Sequence, residues 1–283
     1  MKQHIELVRL VLGQPCIAIE APLGQETPYL EPHRHEYWEI IWCLDDKGTQ
    51  VIDFIEYDNQ VGRIFTISPG QVHQSTPVSS NVRLLVFAHG FIETNKRSTR
   101  LVESIFSSRG SRAPFLDCDE KANQFLLPVF SMIQQECSQE DDCDWALVES
   151  LINCFLRYIL RYASNSDLNG KSRDVRVGQL LELINANYKL EKSCQFYADK
   201  LALTGKRINE LVKMDLGKTV TQLIHERIIL EANRELAFSN KTIKAISLDL
   251  GFNDPAYFSR FYRNSMKESP AAFRVRCSDS ATL

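Results

Sequence analysis

Five pairs of residues, each fifty positions apart, constrain this 283-residue chain more than any other feature. Thr204 and Asp254, Ile208 and Phe258, Leu211 and Phe261, Val212 and Tyr262, and Lys213 and Arg263 match in chemical type, so a cap, a buried face and a terminal base recur in register. In the second copy Ile243, Ile246 and Leu250 fall on one helical face. Gly251 then supplies a left-handed stop, and Asn253 or Asp254 followed by Pro255 supplies a new start. The next helix is expected to bury Phe258, Phe261 and Tyr262 and to turn Ala256, Ser259, Arg260 and Arg263 outward. In the first copy Thr204 caps a helix with Ile208, Leu211 and Val212 inward and Lys206, Arg207, Asn209, Glu210 and Lys213 free. A short helix, a tight turn and a second helix with small and basic residues on its free face form the pattern of a DNA-reading helix-turn-helix. The repeat predicts two such units joined by a long helix, roughly Val220 to Phe238, packed through Leu223, Ile224, Ile228, Ala232 and Leu236. Reading helices about 34 Å apart, one duplex turn, would enter successive major grooves. The plain alternative is a bundle of six or seven helices with no role at DNA.

Upstream of the repeat, Val177, Leu180, Leu181, Ile184 and Tyr188 make an amphipathic helix, and Ser193 caps another that carries Ala198 and Leu201 inward. Charge follows the same division. Residues 1–174 hold 16 Lys and Arg against 24 Asp and Glu, and residues 175–283 hold 17 against 12, so a net −3 conceals −8 and +5. Only the second part suits phosphate. Between them residues 164–174, SNSDLNGKSRD, lack periodicity and read as a linker.

The first part changes period midway. Residues 1–31 read as an arm leading into a strand, and from His33 the runs HRHEYWEIIWCL, QVIDFIEY, RIFTIS and VRLLVFA are β-branched and aromatic between Asp, Asn, Gly and Pro clusters. They predict a small antiparallel barrel or sandwich. In the first run His33, His35, Tyr37, Glu39, Ile41 and Cys43 share one face, and Trp38, Ile40, Trp42 and Leu44 the other, so both faces must be covered. Beyond Phe115 the period is helical: Phe125, Leu126, Val129, Phe130 and Ile133 form one stripe, and Val148 to Ile159 another that is too apolar for a helix packed on one side only. Either the two helices cover the barrel or they make a dimer interface.

Residues 177–276 resemble the DNA-binding domain of the AraC-type transcription regulators. The matching residues are Ala198 and Leu201, Gly217-Lys218-Thr219, Arg227, Ala232, Leu236, Ile243, Ile246, Gly251-Phe252, Asp254, Tyr257-Phe258-Ser259-Arg260-Phe261, Ser269-Pro270 and Phe273-Arg274. The resemblance implies that Arg260 reads guanine, while Ser259, Arg263, Lys213, Lys218 and Arg227 hold phosphate. It implies double-stranded DNA, a small organic effector, a second copy of the chain and RNA polymerase as partners, and an activator; separately, Glu6 and Arg9 interrupt the apolar positions of the N-terminus, which lacks a convincing signal-peptide core, so the chain is expected in the cytoplasm. Two departures stand out. Glu210 occupies the position of a usual base, where it either accepts from cytosine or pairs locally with Lys206 or Lys213. Lys267 stands where the family commonly has Gly; a left-handed backbone there would cost about 1 kcal/mol, so the last turn is expected to be built differently.

His33, His35 and Glu39, followed by Pro69-Gly70-Gln71-Val72-His73, have the spacing of cupin barrels, and the stretch 32–73 also resembles AraC-type sensor domains. Two readings compete with a purely structural one: a divalent metal, as in cupin enzymes, and an effector pocket without a metal, as in the regulators. The expected effector-binding set is His33, Arg34, His35, Tyr37, Glu39 and His73, with Arg34 at the mouth, and no resident metal, cofactor or catalytic residue is expected. Trp38 and Trp42 are expected in the core.

The whole is therefore expected to be an α+β multidomain protein: a cupin-like antiparallel β-barrel with a helix pair at 1–163, the linker at 164–174, and an all-α double helix-turn-helix domain at 175–283. Its eight cysteines are scattered singly, which favours reduced, mostly buried thiols over a zinc module or disulfide framework. No apolar run approaches the roughly 20 residues of a membrane helix. The rival functions are a metal-dependent cupin enzyme with secondary DNA binding, and a regulator controlled by a protein partner.

Overall fold

The computed structural model describes residues 7–8, 15–23, 31–76, 80–88, 90–92, 96–106, 113–139, 142–162 and 174–280. It divides into two compact units, one holding the described residues up to Tyr162 and the other those from Asp174 onward. All but Asp174 of the expected linker lies outside the described residues.

In the first unit the strands are β1 (Leu7–Val8), β2 (Cys16–Leu23), β3 (Arg34–His35), β4 (Tyr37–Cys43), β5 (Thr49–Ile52), β6 (Ile55–Asp58), β7 (Arg63–Ile67), β8 (His73–Ser75), β9 (Ser80–Ala88) and β10 (Phe115–Asp117). They form an antiparallel five-stranded sheet, ordered β10-β7-β4-β9-β2, an antiparallel three-stranded sheet, β6-β5-β8, and a parallel pair, β1 with β3. The antiparallel β-fold is as expected, but among the described residues the sheets do not close into one hydrogen-bonded ring. Two strand readings are corrected. The run QVIDFIEY is a hairpin, because Asp53 and Phe54 both take positive φ (48° and 71°) and turn the chain between β5 and β6. The arm ahead of His33 contributes an eight-residue edge strand, β2, paired along its whole length with β9.

The two faces of β4 do what the alternation requires. Ile41 and Cys43 join Ile52, Phe65, Ile67, Val82 and Leu84 in a core that draws on both sheets. Ile40 and Trp42 turn the other way, into a core with Phe130, Ile152 and Phe155 from α2 (Glu120–Cys137) and α3 (Trp145–Tyr162). α1 (Lys96–Phe106) adds Leu101, Val102 and Phe106 to the same core. The apolar stripe of α3 is thus explained by helix-on-sheet packing. All eight cysteines are free thiols, and burial pushes those of Cys43 and Cys118 up to about 12.

The second unit is helical: α4 (Val175–Asn187), α5 (Cys194–Lys200), α6 (Gly205–Leu216), α7 (Val220–Phe238), α8 (Ile243–Asp249), α9 (Pro255–Met266) and α10 (Pro270–Ser280). The caps follow the sequence signals: Ser193, Thr204 and Asp254 each accept a backbone N–H from the first turn they open, and Thr219 forms a capping box with Gln222. Val212, Ile228, Ala232, Phe258 and Tyr262 meet in one core. The last turn of α9 corrects the expectation for Lys267, which keeps the left-handed conformation (φ 63°) and the ordinary cap bond from its N–H to Arg263 O, 2.8 Å.

Candidate nucleic-acid interface and sensor site

α6 and α9 are amphipathic twelve-residue helices that bury equivalent positions: Ile208, Leu211 and Val212 in one, Phe258 and Tyr262 in the other. What remains outside carries Lys206, Arg207, Lys213, Arg260 and Arg263 against one exposed acidic residue, Glu210. On α6 the exposed residues include Lys206, Arg207, Glu210 and Lys213; on α9 they include Ala256, Tyr257, Arg260 and Arg263. Arg260 is two-thirds exposed and its Nη2 lies 3.7 Å from Asp254, the residue that caps its own helix. A pair that long and that wet leaves the guanidinium available.

Four of the expected DNA-contacting residues, Asn209, Ser259, Lys218 and Arg227, are engaged within the domain. Asn209 is not free: its Nδ2 donates to Gly205 O (2.9 Å) and to Cys194 Sγ, and its Oδ1 accepts the Val220 N–H (3.0 Å), so it ties α6 to α5 and to the start of α7. Ser259 donates to Pro255 O at 2.9 Å inside its own helix. Lys218 is half-buried and paired with Glu226 at 2.8 Å. Glu210 forms its local pair with Arg207 (3.2 Å), one turn back, rather than with Lys206 or Lys213. Tyr257, more than half exposed on the same surface as Arg260, was not among the expected contacts; its position between Ala256 and Phe258 was the available signal. Arg227, expected at phosphate, is instead engaged within the domain: it pairs with Glu231 (3.0 Å), donates to Asn185 and lies over the Tyr188 ring.

In the first unit the inner faces of β3, β4 and β8 bring His33, His35, Tyr37, Glu39 and His73 together, all buried. Backbone pairing fixes them: His33 and His73 exchange N–H···O bonds at 3.0 Å in both directions, and the Gly70 N–H donates to His35 O at 2.7 Å. His35 Nε2 lies 2.8 Å from Glu39 Oε2 and 3.0 Å from His73 Nε2, and His73 Nε2 is 3.1 Å from the same carboxylate oxygen. The Tyr37 ring stacks on His35 with centroids 3.8 Å apart. Burial alone would push the Glu39 carboxyl up, but His73 and His35 outweigh it and hold the group well below the usual carboxylate range. Burial, with His73 close by, pushes His33 down to about 4. Arg34, expected at the mouth, precedes His35 in β3 and by strand alternation is on the opposite face from it. Sequence reasoning missed Gln50 and Ser75, which share the inner face of β5 and β8 with His73; Ser75 Oγ donates to Gln50 Oε1 at 2.9 Å, and the buried Gln50 Nε2 has no protein acceptor among the described residues.

A family model described as a helix-turn-helix domain matches residues 197–276. The chain is similar to the HTH-type transcriptional activator RhaS of Pectobacterium atrosepticum, 24% identical over 267 residues and 91% of each chain. It is likewise similar to RhaS of Yersinia pestis, 26% identical over 285 residues, 91% of this chain and 93% of the relative. Among solved structures, ToxT from Vibrio cholerae covers 93% of this chain and 98% of its own, at 13% identity and a TM-score of 0.45.

Proposed function

We propose that this AraC-type transcription regulator reads DNA through α6 and α9 and is controlled by a small organic effector bound in its N-terminal unit. The observation that carries the DNA half is the repeat of one surface: Lys213 and Arg263 end the free faces of two helices whose caps and buried residues match fifty positions apart. Arg260 is the guanine reader; Lys206, Arg207, Lys213 and Arg263 supply charge to phosphate, and Ala256 and Tyr257 line the approach to bases. Asn209, Ser259, Lys218 and Arg227 serve the shape of the domain first, and Glu210 tunes Arg207.

The effector half rests on the buried polar cluster of His33, His35, Tyr37, Glu39 and His73 with Gln50 beside it, a concentration of hydrogen-bonding groups inside an otherwise apolar unit. An effector that binds one arrangement of the N-terminal unit better than another shifts the placement of two DNA-binding domains, here residues 175–283 of each copy in a homodimer, and with it the recruitment of RNA polymerase. The relatives similar in sequence are transcriptional activators, which favours a regulatory over an enzymatic role. The chain works in the cytoplasm, where its DNA is; none of its described helices is long and apolar enough to cross a membrane.

The test is Arg260→Ala in the full chain, with binding sites first mapped across a genome. Specific binding should weaken by about 1–3 kcal/mol and lose preference at one base pair per half-site. Unchanged affinity and preference would remove Arg260 as a reader.

A further inference from the structure

We propose that His35, Glu39 and His73, with His33 as a fourth donor, bind a first-row divalent transition-metal ion of the zinc(II) or iron(II) type in the N-terminal unit. The first observation is the direction of the imidazole protons. His35 Nδ1 lies 2.9 Å from Tyr37 O and His33 Nδ1 lies 2.9 Å from Glu31 O. A carbonyl oxygen only accepts, so each Nδ1 carries a hydrogen and is committed to the backbone, which leaves Nε2 as the ring nitrogen that can serve as a ligand atom. At His35 that nitrogen faces the Glu39 carboxylate and His73 Nε2, so three potential ligand atoms converge in a fully buried site. Anchoring one ring nitrogen on a backbone carbonyl so that the other points at a shared centre is the arrangement metal-binding histidines use.

The second observation is distance. Glu39 Oε2, His35 Nε2 and His73 Nε2 form a triangle with edges of 2.8, 3.0 and 3.1 Å. Metal–ligand bonds of about 2.0–2.2 Å place neighbouring ligand atoms roughly 3 Å apart at right angles. His33, Glu39 and His73 each offer one donor atom, all within 4.8 Å of one another. The third is an orphan: Glu39 Oε1 is buried without a donor among the described residues. Imidazole with carboxylate suits zinc, iron and their neighbours, whereas magnesium and calcium favour all-oxygen sets and copper(I) favours sulfur.

The ligands come from both sheets and are pre-set. His73 pairs through its backbone with His33, and the Pro69–His73 loop is pinned to His35 O through Gly70. An ion there would hold β4 of one sheet against β8 of the other. Three or four protein ligands leave a position for an oxygen atom of an effector, so the inference deepens the effector reading and rests on it only for the regulatory consequence.

The full chain, stripped with a chelator, is titrated with zinc(II) alone by calorimetry, with elemental analysis after desalting and a cobalt(II) absorption spectrum alongside. One equivalent is expected, with a ligand-field spectrum of nitrogen and oxygen donors. Glu39→Gln and His73→Asn should each weaken binding by about 100-fold or more while keeping the far-ultraviolet circular dichroism of the native chain. No retained zinc, or native affinity in both folded variants, overturns the inference. Should the variants misfold, the absence of a cobalt(II) ligand-field band in the native chain overturns it instead. Promoter binding is measured on the same preparations: a chain that binds DNA but no ion refutes the metal site and leaves the regulator intact.

Discussion

Gly217 and Lys267, fifty residues apart, hold the same left-handed backbone at the C-caps of α6 and α9: φ 69° and ψ 10° in one, φ 63° and ψ 6° in the other. Each N–H closes the same bond, to Lys213 O and to Arg263 O. The repeat therefore runs through the helix ends, and only the residue type breaks it. A side chain at positive φ costs about 1 kcal/mol relative to Gly, so Lys267→Gly should stabilise the second unit by about that amount. Gly217→Ala should destabilise it similarly, and for conformational reasons only, since a Cβ there meets nothing within 4 Å. Urea unfolding followed by far-ultraviolet circular dichroism checks both. The three tryptophans, Trp38, Trp42 and Trp145, all lie in the first unit, so their fluorescence reports that unit separately.

Gly251 is a different case. It is also left-handed (φ 74°), but a Cβ built on it would stand 1.8 Å from Lys189 O. The same spot is tied by Lys192, whose Nζ donates to Lys189 O (2.8 Å) and to Gly251 O (3.0 Å) while lying over the Phe252 ring. The turn between α8 and α9 is thus seated on the turn after α4. Gly251→Ala must move backbone, so it is expected to cost more than about 2 kcal/mol. Lys192→Met keeps the stem over Phe252 and loses the donors, at about 1 kcal/mol. Equal effects from Gly251→Ala and Gly217→Ala in urea unfolding would refute the steric account.

These positions show what the residues themselves disclose. Caps at Ser193, Thr204 and Asp254, the bounds of α7 and the two faces of β4 all follow from local chemistry and periodicity, because a cap or an alternating strand needs only its neighbours. The β5–β6 hairpin was hidden because Asp53-Phe54 lacks the Gly or Asn that marks a turn at positive φ. The site was half legible: the histidines and Glu39 could be placed on one face by spacing, but not the direction of their protons, which depends on Glu31 O and Tyr37 O. A helical wheel likewise put Asn209 outside because it carries no information about α5 and α7.

Asn209→Ala tests that last point. The side chain satisfies the Val220 N–H at the start of α7 and bonds Gly205 O within α6. Removing it leaves a half-buried donor without a partner, so the expected cost is about 1–3 kcal/mol of stability in the second unit. DNA affinity measured at a temperature where the variant is folded should stay near the native value. A large loss of affinity with native stability would instead return Asn209 to the DNA-facing set.

Glu210 and Arg207 decide what the first reading helix contributes. Their 3.2 Å pair is nearly half exposed on both sides, so it adds well under 1 kcal/mol to stability, and its chief effect is to offset one positive charge on the face of α6. Glu210→Gln releases Arg207 for phosphate. The expected result is tighter binding to all sequences and a steeper dependence of affinity on salt, by a slope of about 1 on logarithmic axes. The competing chemistry, Glu210 accepting from a cytosine amino group, predicts the reverse: weaker binding to the preferred site by about 1–3 kcal/mol and relaxed choice at one base pair. Affinities of the native chain and of Glu210→Gln, measured on specific and random duplexes across a range of salt concentrations, separate the two, because charge release moves both duplexes together and base reading moves only one.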